Sequence, residues 1–195
     1  MAEVNRERVL RAATSSFLAR GYRSSVELIA RRAGVAKQTV YHHFPSKDAL
    51  FKEVARELAK RVLVELHPDG ENLRAGLVRF ALAYRKRVLG TQGIATFRTV
   101  VPEVPRFPAL ARSMYAASAG VLVGRLAEVL AHAMATGQLR RDDPELAAEL
   151  FLGMLVGQDR IKRLFGVARA VETDEHRARR IVDCFLRAYA PENGQ

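Results

Sequence analysis

The stretch that decides the fold is VELIARRAGVAKQTVYHHF, Val26 to Phe44. Val26, Ile29, Ala30 and Ala33 recur at i, i+3, i+4 and i+7, the apolar stripe of a short helix. Gly34 follows, the residue best able to take a left-handed C′ position. A second short helix is expected from about Ala36 to Phe44, where Pro45 stops it. Two short helices joined by Ala33-Gly34-Val35-Ala36 fit a helix-turn-helix over about residues 25–44. Val35, Val40 and Phe44 have the spacing to pack inward. That leaves Lys37, Gln38, Thr39 and His42 facing out.

Those outward residue types can read DNA. A helix laid in the major groove presents base contacts from its N-terminal part. Gln38 can pair bidentately with adenine, Lys37 can reach guanine or phosphate, and the Thr39 methyl can meet thymine. Tyr41, His42, Lys47 and the serines Ser24 and Ser25 stand at helix ends or edges, places suited to phosphate. Ser24-Ser25-Val26-Glu27 has the spacing of a capping box, with Ser24 accepting from the Glu27 N–H.

Charge points the same way. The chain of 195 residues carries 32 Lys and Arg against 21 Asp and Glu, a formal net charge of +11. Residues 1–50 hold nine basic and four acidic residues, so a quarter of the chain carries +5 of that excess. The rest is a larger and milder body, and the pattern favours a polyanionic partner. With 49% hydrophobic and 27% charged residues the composition is that of a folded protein. Cys184 is the single cysteine. It excludes an intrachain disulfide and a multi-cysteine zinc site, and is expected to be a small buried hydrophobe. No apolar run follows Met1 and the longest charge-free stretch, residues 113–124, is shorter than the roughly 20 residues of a spanning helix. No secretory signal, no membrane association and a cytoplasmic location are therefore expected.

Outward from the central motif the apolar spacing is helical almost throughout, and no alternating strand pattern of useful length occurs. A first helix is expected over about residues 4–20, ended by Gly21. A fourth starts at Ser46, with Leu50, Phe51, Val54, Leu58 and Val62 on one face, and ends by His67-Pro68-Asp69-Gly70. Leu73, Leu77, Phe80, Tyr84 and Val88 mark a fifth. Gly90 and Gly93 separate it from a short sixth with Ile94, Phe97 and Val101, and Pro102, Pro105 and Pro108 make a stiff connector. A long seventh is expected over about 109–135, with Leu110, Met114, Ala117 and Val121 on one stripe. Asp143-Pro144 caps and opens an eighth, and Thr173-Asp174-Glu175 a ninth. The tail, residues 191–195, is expected to be loose. The fold class is thus all-α with about nine helices: a three-helix reading head over residues 1–47 and a larger helical domain over 48–195.

The stretch from Arg8 to Val54 resembles the N-terminal domain of the TetR/AcrR family of transcriptional regulators. The matching residues are Val9-Leu10, Ala12-Ala13, Phe17, Gly21-Tyr22, Ser25-Val26 and Ile29-Ala30. They continue as Ala33-Gly34-Val35, Lys37, Thr39-Val40-Tyr41, His43-Phe44, Ser46-Lys47-Asp48 and Leu50. Ala36 departs from the serine often found there, which removes a cap, and Gln38 falls at a variable position, so no operator sequence carries over. The C-terminal half, with Val101 to Arg112, Asp142 to Glu149 and Phe151-Leu152-Gly153, resembles the AefR-like branch. The resemblance implies a homodimer on a palindromic double-stranded operator, with Lys37, Gln38, Thr39, Tyr41, His42 and Lys47 facing DNA. It also implies a pocket for a small hydrophobic or aromatic effector. Candidate lining residues are Phe80, Tyr84, Phe97, Phe107, Met114, Tyr115, Met134, Phe151, Met154 and Gln158, with Gln92, Thr96 and Arg98 as polar contacts. The eighth helix is apolar on more than one face and must bury two sides. With the ninth (Ile181, Val182, Phe185, Leu186, Tyr189) it is expected to form the dimer interface, through segments near 145–165 and 174–189.

No cofactor or metal site is expected. His42-His43 and Asp142-Asp143 are adjacent pairs, about 100° apart on a helix, so neither converges on one atom. HExxH, P-loop, GxSxG and CxxC motifs are lacking. The expected function is a regulator, not an enzyme: a repressor released from DNA by its effector, or else an effector-independent DNA binder or an activator. Movement of the sixth helix against the fourth, hinged at Gly90 and Gly93, is the expected route from effector to DNA.

Overall fold

The computed structural model describes residues 2–63, 72–167 and 174–191. Among them are ten α-helices and no strand: α1 (Ala2–Arg20), α2 (Val26–Ala33), α3 (Lys37–His43), α4 (Lys47–Leu63), α5 (Leu73–Leu89), α6 (Thr91–Val100), α7 (Pro108–Ala117), α8 (Ala119–Ala135), α9 (Pro144–Leu164) and α10 (Asp174–Ala188). Short 3-10 turns follow α1 (Gly21–Arg23) and α6 (Val101–Glu103). The turn at 67–70, the cap at Thr173 and the tail beyond Pro191 lie outside the described residues, as do the side chains of Leu58, Val62 and Leu110.

The chain divides into two compact units. The first holds residues up to Ala59 together with Thr91–Ala119, and the second holds Lys60–Gly90 together with Gly120 onward.

In the first unit α1 packs on α2, α3 and α6. Its core is built from Val9, Ala13 and Phe17 of α1, Ile29 and Ala33 of α2, Val40 and Phe44, and Leu50 and Phe51 of α4, all buried. Phe51 meets the Phe17 ring edge-on at 4.7 Å and the Tyr22 ring at 5.2 Å, an arrangement aromatic pairs favour. The α6–α7 segment closes this core, with Val100, Phe107 and Met114 packed against it. Pro108 at the first position of α7 tolerates the missing N–H of a helix start.

Two features of this region differ from expectation. Gly93 does not break a helix but lies inside α6; Gly90 alone separates α5 from α6. Gly90 is required by close approach, since a Cβ there would lie 2.5 Å from the Lys86 carbonyl oxygen. The long helix expected over 109–135 is divided at Ser118, whose φ and ψ of −128° and −81° are not helical and whose hydroxyl donates to the Met114 carbonyl at 2.6 Å.

In the second unit α5 packs on α9 and α10. Its spine is a row of rings: Phe80 stacks near Tyr84 and Phe151, and Phe151 continues to Phe185 and Tyr189. Residues 111–135 are long and apolar enough by composition to cross a membrane. Much of that hydropathy is used inside the protein, where Leu122, Leu126, Leu130, Ala133 and Met134 are buried. Asp143 caps α9, its carboxylate accepting from the N–H groups of Glu145 at 2.9 Å and Leu146 at 3.3 Å, with Pro144 at the first helical position.

Helix α9 is broken at Gly157, which takes φ 12° and ψ −120°. Arg85 of α5 spans the break. Buried at 2% exposure, it donates to the Leu155 carbonyl before the break and to Asp159 at 3.0 Å after it. Asp159 also takes Arg177 of α10 at 2.7 Å. Cys184 is exposed rather than buried, with the Arg187 guanidinium 3.1 Å from its sulfur.

Candidate nucleic-acid interface and effector residues

The turn between α2 and α3 is closed by the backbone. Gly34 takes φ 65°, its N–H donates to Arg31, and the Val35 N–H reaches back to Ala30 at 3.1 Å, the two hydrogen bonds of a Schellman motif. Buried Val40 and Phe44 hold α3 against the core. The rest of α3 faces out: Lys37, Gln38 and His42 are exposed, Tyr41 is 41% exposed, and Thr39 is half-buried. Ala36 occupies the N-cap of α3 without a side-chain hydrogen bond.

The serine pair is corrected by the structure. Ser25, not Ser24, caps α2, accepting from the Leu28 N–H at 3.1 Å. Ser24 is buried, and its hydroxyl donates to the Ser16 carbonyl at 2.9 Å. Because α2 begins one residue later than the capping-box spacing implied, Ser24 points into the core side of the turn and has no face left for phosphate.

Lys37, first residue of α3, pairs with Glu27 in the first turn of α2 and stands over the Tyr41 ring. The hydrogen bond between them raises the Lys37 pKa and lowers that of Glu27. At the start of α4, Ser46 accepts from the Ala49 N–H at 3.0 Å. Lys47 lies 4.2 Å from the centre of the Tyr22 ring, a cation–π distance, and partial burial lowers its pKa. The Tyr22 hydroxyl donates to Asp48, and partial burial with that carboxylate raises the phenol's pKa. Phe107 also packs here, its ring 5.5 Å from Tyr22. Glu27, Tyr22 and Asp48 were not among the residues expected to matter at this face. The only sequence signal for Glu27 was its place in the capping box, and its partner became visible only when α2 and α3 folded together.

The effector candidates fall into two groups. Phe97, Phe107, Met114 and Tyr115 belong to the first unit, where Phe107 and Met114 pack on the reading head's core, Phe97 is 37% and Tyr115 57% exposed. Phe80, Tyr84, Met134 and Phe151 are buried in the second unit. Met154 is 43% exposed on the outer stripe of α9, and Gln158, just past the break, is exposed too. Among the polar candidates Gln92 and Arg98 are exposed, and Thr96 donates to the Gln92 carbonyl at 2.7 Å.

Residues 9–54 match the family model for bacterial regulatory proteins of the tetR family, and residues 75–191 match that for the AefR-like transcriptional repressor C-terminal domain. The chain belongs to the TetR family. An uncharacterized HTH-type transcriptional regulator of Mycobacterium bovis is 31% identical over 156 residues, covering 80% of this chain and 79% of that protein. A TetR-family transcriptional regulator from Mesorhizobium loti superposes with a TM-score of 0.80 at 27% identity, covering 97% and 98% of the two chains. The flavonoid-responsive regulator FrrA superposes with a TM-score of 0.74 at 32% identity, over 96% and 98%. The chain is a DNA-binding regulator of transcription, not an enzyme. Within this TetR-family chain the matched segment 9–54 contains all of α2 and α3.

Proposed function

We propose that this TetR-family chain is a cytoplasmic, homodimeric repressor that a small hydrophobic or aromatic effector releases from a palindromic operator. The observation that carries the DNA-facing part is the exposed surface of α3, Lys37, Gln38, Tyr41 and His42 with half-buried Thr39, on a helix anchored by buried Val40 and Phe44. Gln38 and Thr39 read base edges; Lys37, Tyr41, His42, Lys47 and Ser25 meet the backbone; buried Ser24 is left out. One helix of seven residues reads only a few base pairs. A two-fold dimer places two such readers about 34 Å apart, one turn of duplex.

The dimer face is the stripe Leu146, Leu150 and Met154 at i, i+4 and i+8 of α9, each more than 40% exposed, together with α10. Apolar surface repeated along one face of a helix is what a self-complementary interface uses. The AefR-like match supports repression, and the likeness to a flavonoid-responsive regulator supports an aromatic effector. The effector acts by favouring the conformation that does not fit DNA, since it shifts the equilibrium only by its differential affinity for the two states. Helix α6 packs directly on α1 within the first unit, so a displacement of α6 reaches the reading head without passing through α4.

The test is selection of bound genomic fragments with the purified protein, followed by titration of the selected duplex against salt. The expected sites are palindromes, and the expected slope of log K against log salt is several units, at about −0.9 per neutralised phosphate. A complex indifferent to salt would overturn the reading.

A further inference from the structure

The face around α3 carries an acid in an unexpected place. Glu27 is exposed, with 61% of its side chain accessible, and lies in the first turn of α2, where its carboxylate meets the Lys37 ammonium. Lys37 is the first residue of α3, the position from which a groove-bound helix reaches bases or phosphate. The same carboxylate also acts on Lys47 at the start of α4, as does Asp48. Both lysines of the DNA-facing set therefore stand in the field of Glu27, and one of them is in contact with it.

Surface pairs of this kind contribute little to folding. Its consequence is for binding. A carboxylate beside a phosphate-seeking ammonium opposes every duplex equally, whatever its sequence, because phosphates carry no sequence information. Contacts to base edges, by contrast, form only on the right sequence. Glu27 therefore sets the generic, sequence-independent part of the affinity and its salt dependence.

Building on the DNA face proposed above, we infer that Glu27 attenuates the affinity for DNA: by holding Lys37 and placing a negative charge beside the start of α3, it weakens binding to random DNA. Lys37 is thereby withheld from the phosphate backbone.

The experiment measures fluorescence anisotropy of a labelled random-sequence duplex with the full-length chain over a range of salt. Glu27→Gln should bind this duplex about three- to tenfold tighter at low salt, with the log–log slope steeper by about 0.9, one more neutralised phosphate. Glu27→Asp, which keeps the charge, should stay close to the parent. Lys37→Gln should barely change the slope in the parent, yet remove about 0.9 from it in the Glu27→Gln background. An unchanged slope and affinity in Glu27→Gln overturns the inference. So does weaker binding by Glu27→Gln, which would make Glu27 a favourable DNA contact. If Lys37→Gln and Lys47→Gln leave DNA binding untouched in the parent and in the Glu27→Gln background alike, the proposed DNA face falls and the inference with it. That outcome differs from the first two, in which Lys47→Gln still weakens binding.

Discussion

At Gly34 the backbone takes φ 65° in the bend that separates α2 from α3. A side chain in that conformation is strained, and a Cβ would also meet the Arg8 guanidinium at 2.5 Å, though that end of Arg8 can swing away. The strain itself has no such escape. Gly34→Ala is expected to lower stability by about 1 kcal/mol or more and to disturb the angle between the two helices. Chemical unfolding and DNA affinity, read together, check both effects. Ser24 and Ser25 teach the complementary lesson: neighbouring residues of one type have opposite fates, one buried on Ser16 and one capping α2.

At the scale of elements, two of the arginines of α5 have different duties. Arg85 bridges the break in α9, holding Leu155 and Asp159 on either side of Gly157. Arg85→Met removes the donor to a buried carbonyl while Asp159 keeps Arg177. The expected loss is about 1–3 kcal/mol, the cost of an unmet buried acceptor, measured by urea unfolding. Arg74 pairs with Asp183 of α10 through two hydrogen bonds of 2.7 and 3.1 Å. The pairing holds the Asp183 carboxyl below its usual range. Its contribution is therefore present above the unfolded carboxylate pKa of about 4 and is lost as pH falls through the lower folded value. Asp183→Asn should lower stability slightly across the neutral range, leave the acid extreme unchanged and so flatten that acid limb of the stability-versus-pH curve, which equilibrium unfolding at stepped pH resolves.

At the scale of the whole molecule, the proposed homodimer carries the prediction. The stripe Leu146, Leu150 and Met154 on α9 is the surface proposed to pair with a second copy. Leu150→Asp places a charge in its middle and is expected to shift the protein to a monomer in sedimentation velocity. Since Leu150 is half exposed, folding should persist by circular dichroism. Operator affinity should fall steeply with the dimer, because a lone α3 spans only one half-site. A variant that remains dimeric places the interface elsewhere.

From residues alone the helical periods, the glycine turn after α2, the Asp143-Pro144 start of α9 and the outward set on α3 were legible, because each depends on local backbone chemistry or a 3.6-residue period. The core position of Val40 and Phe44 followed from the same spacing. The division of the 109–135 stretch at Ser118 was not legible, since its apolar pattern runs on across the break. Neither was the place of Phe107 and Met114, whose aromatic and thioether side chains suit a pocket wall and a core equally; only packing on the reading head decided. The Glu27–Lys37 pair joins residues ten positions apart on different helices, and Arg85 finds Asp159 across 74. The sequence by itself determined which elements form and which face of α3 is polar, because those are properties of neighbours along the chain. Only the tertiary structure decided which charges meet and which apolar residues remain uncovered, because those follow from the spacing of elements far apart in the chain.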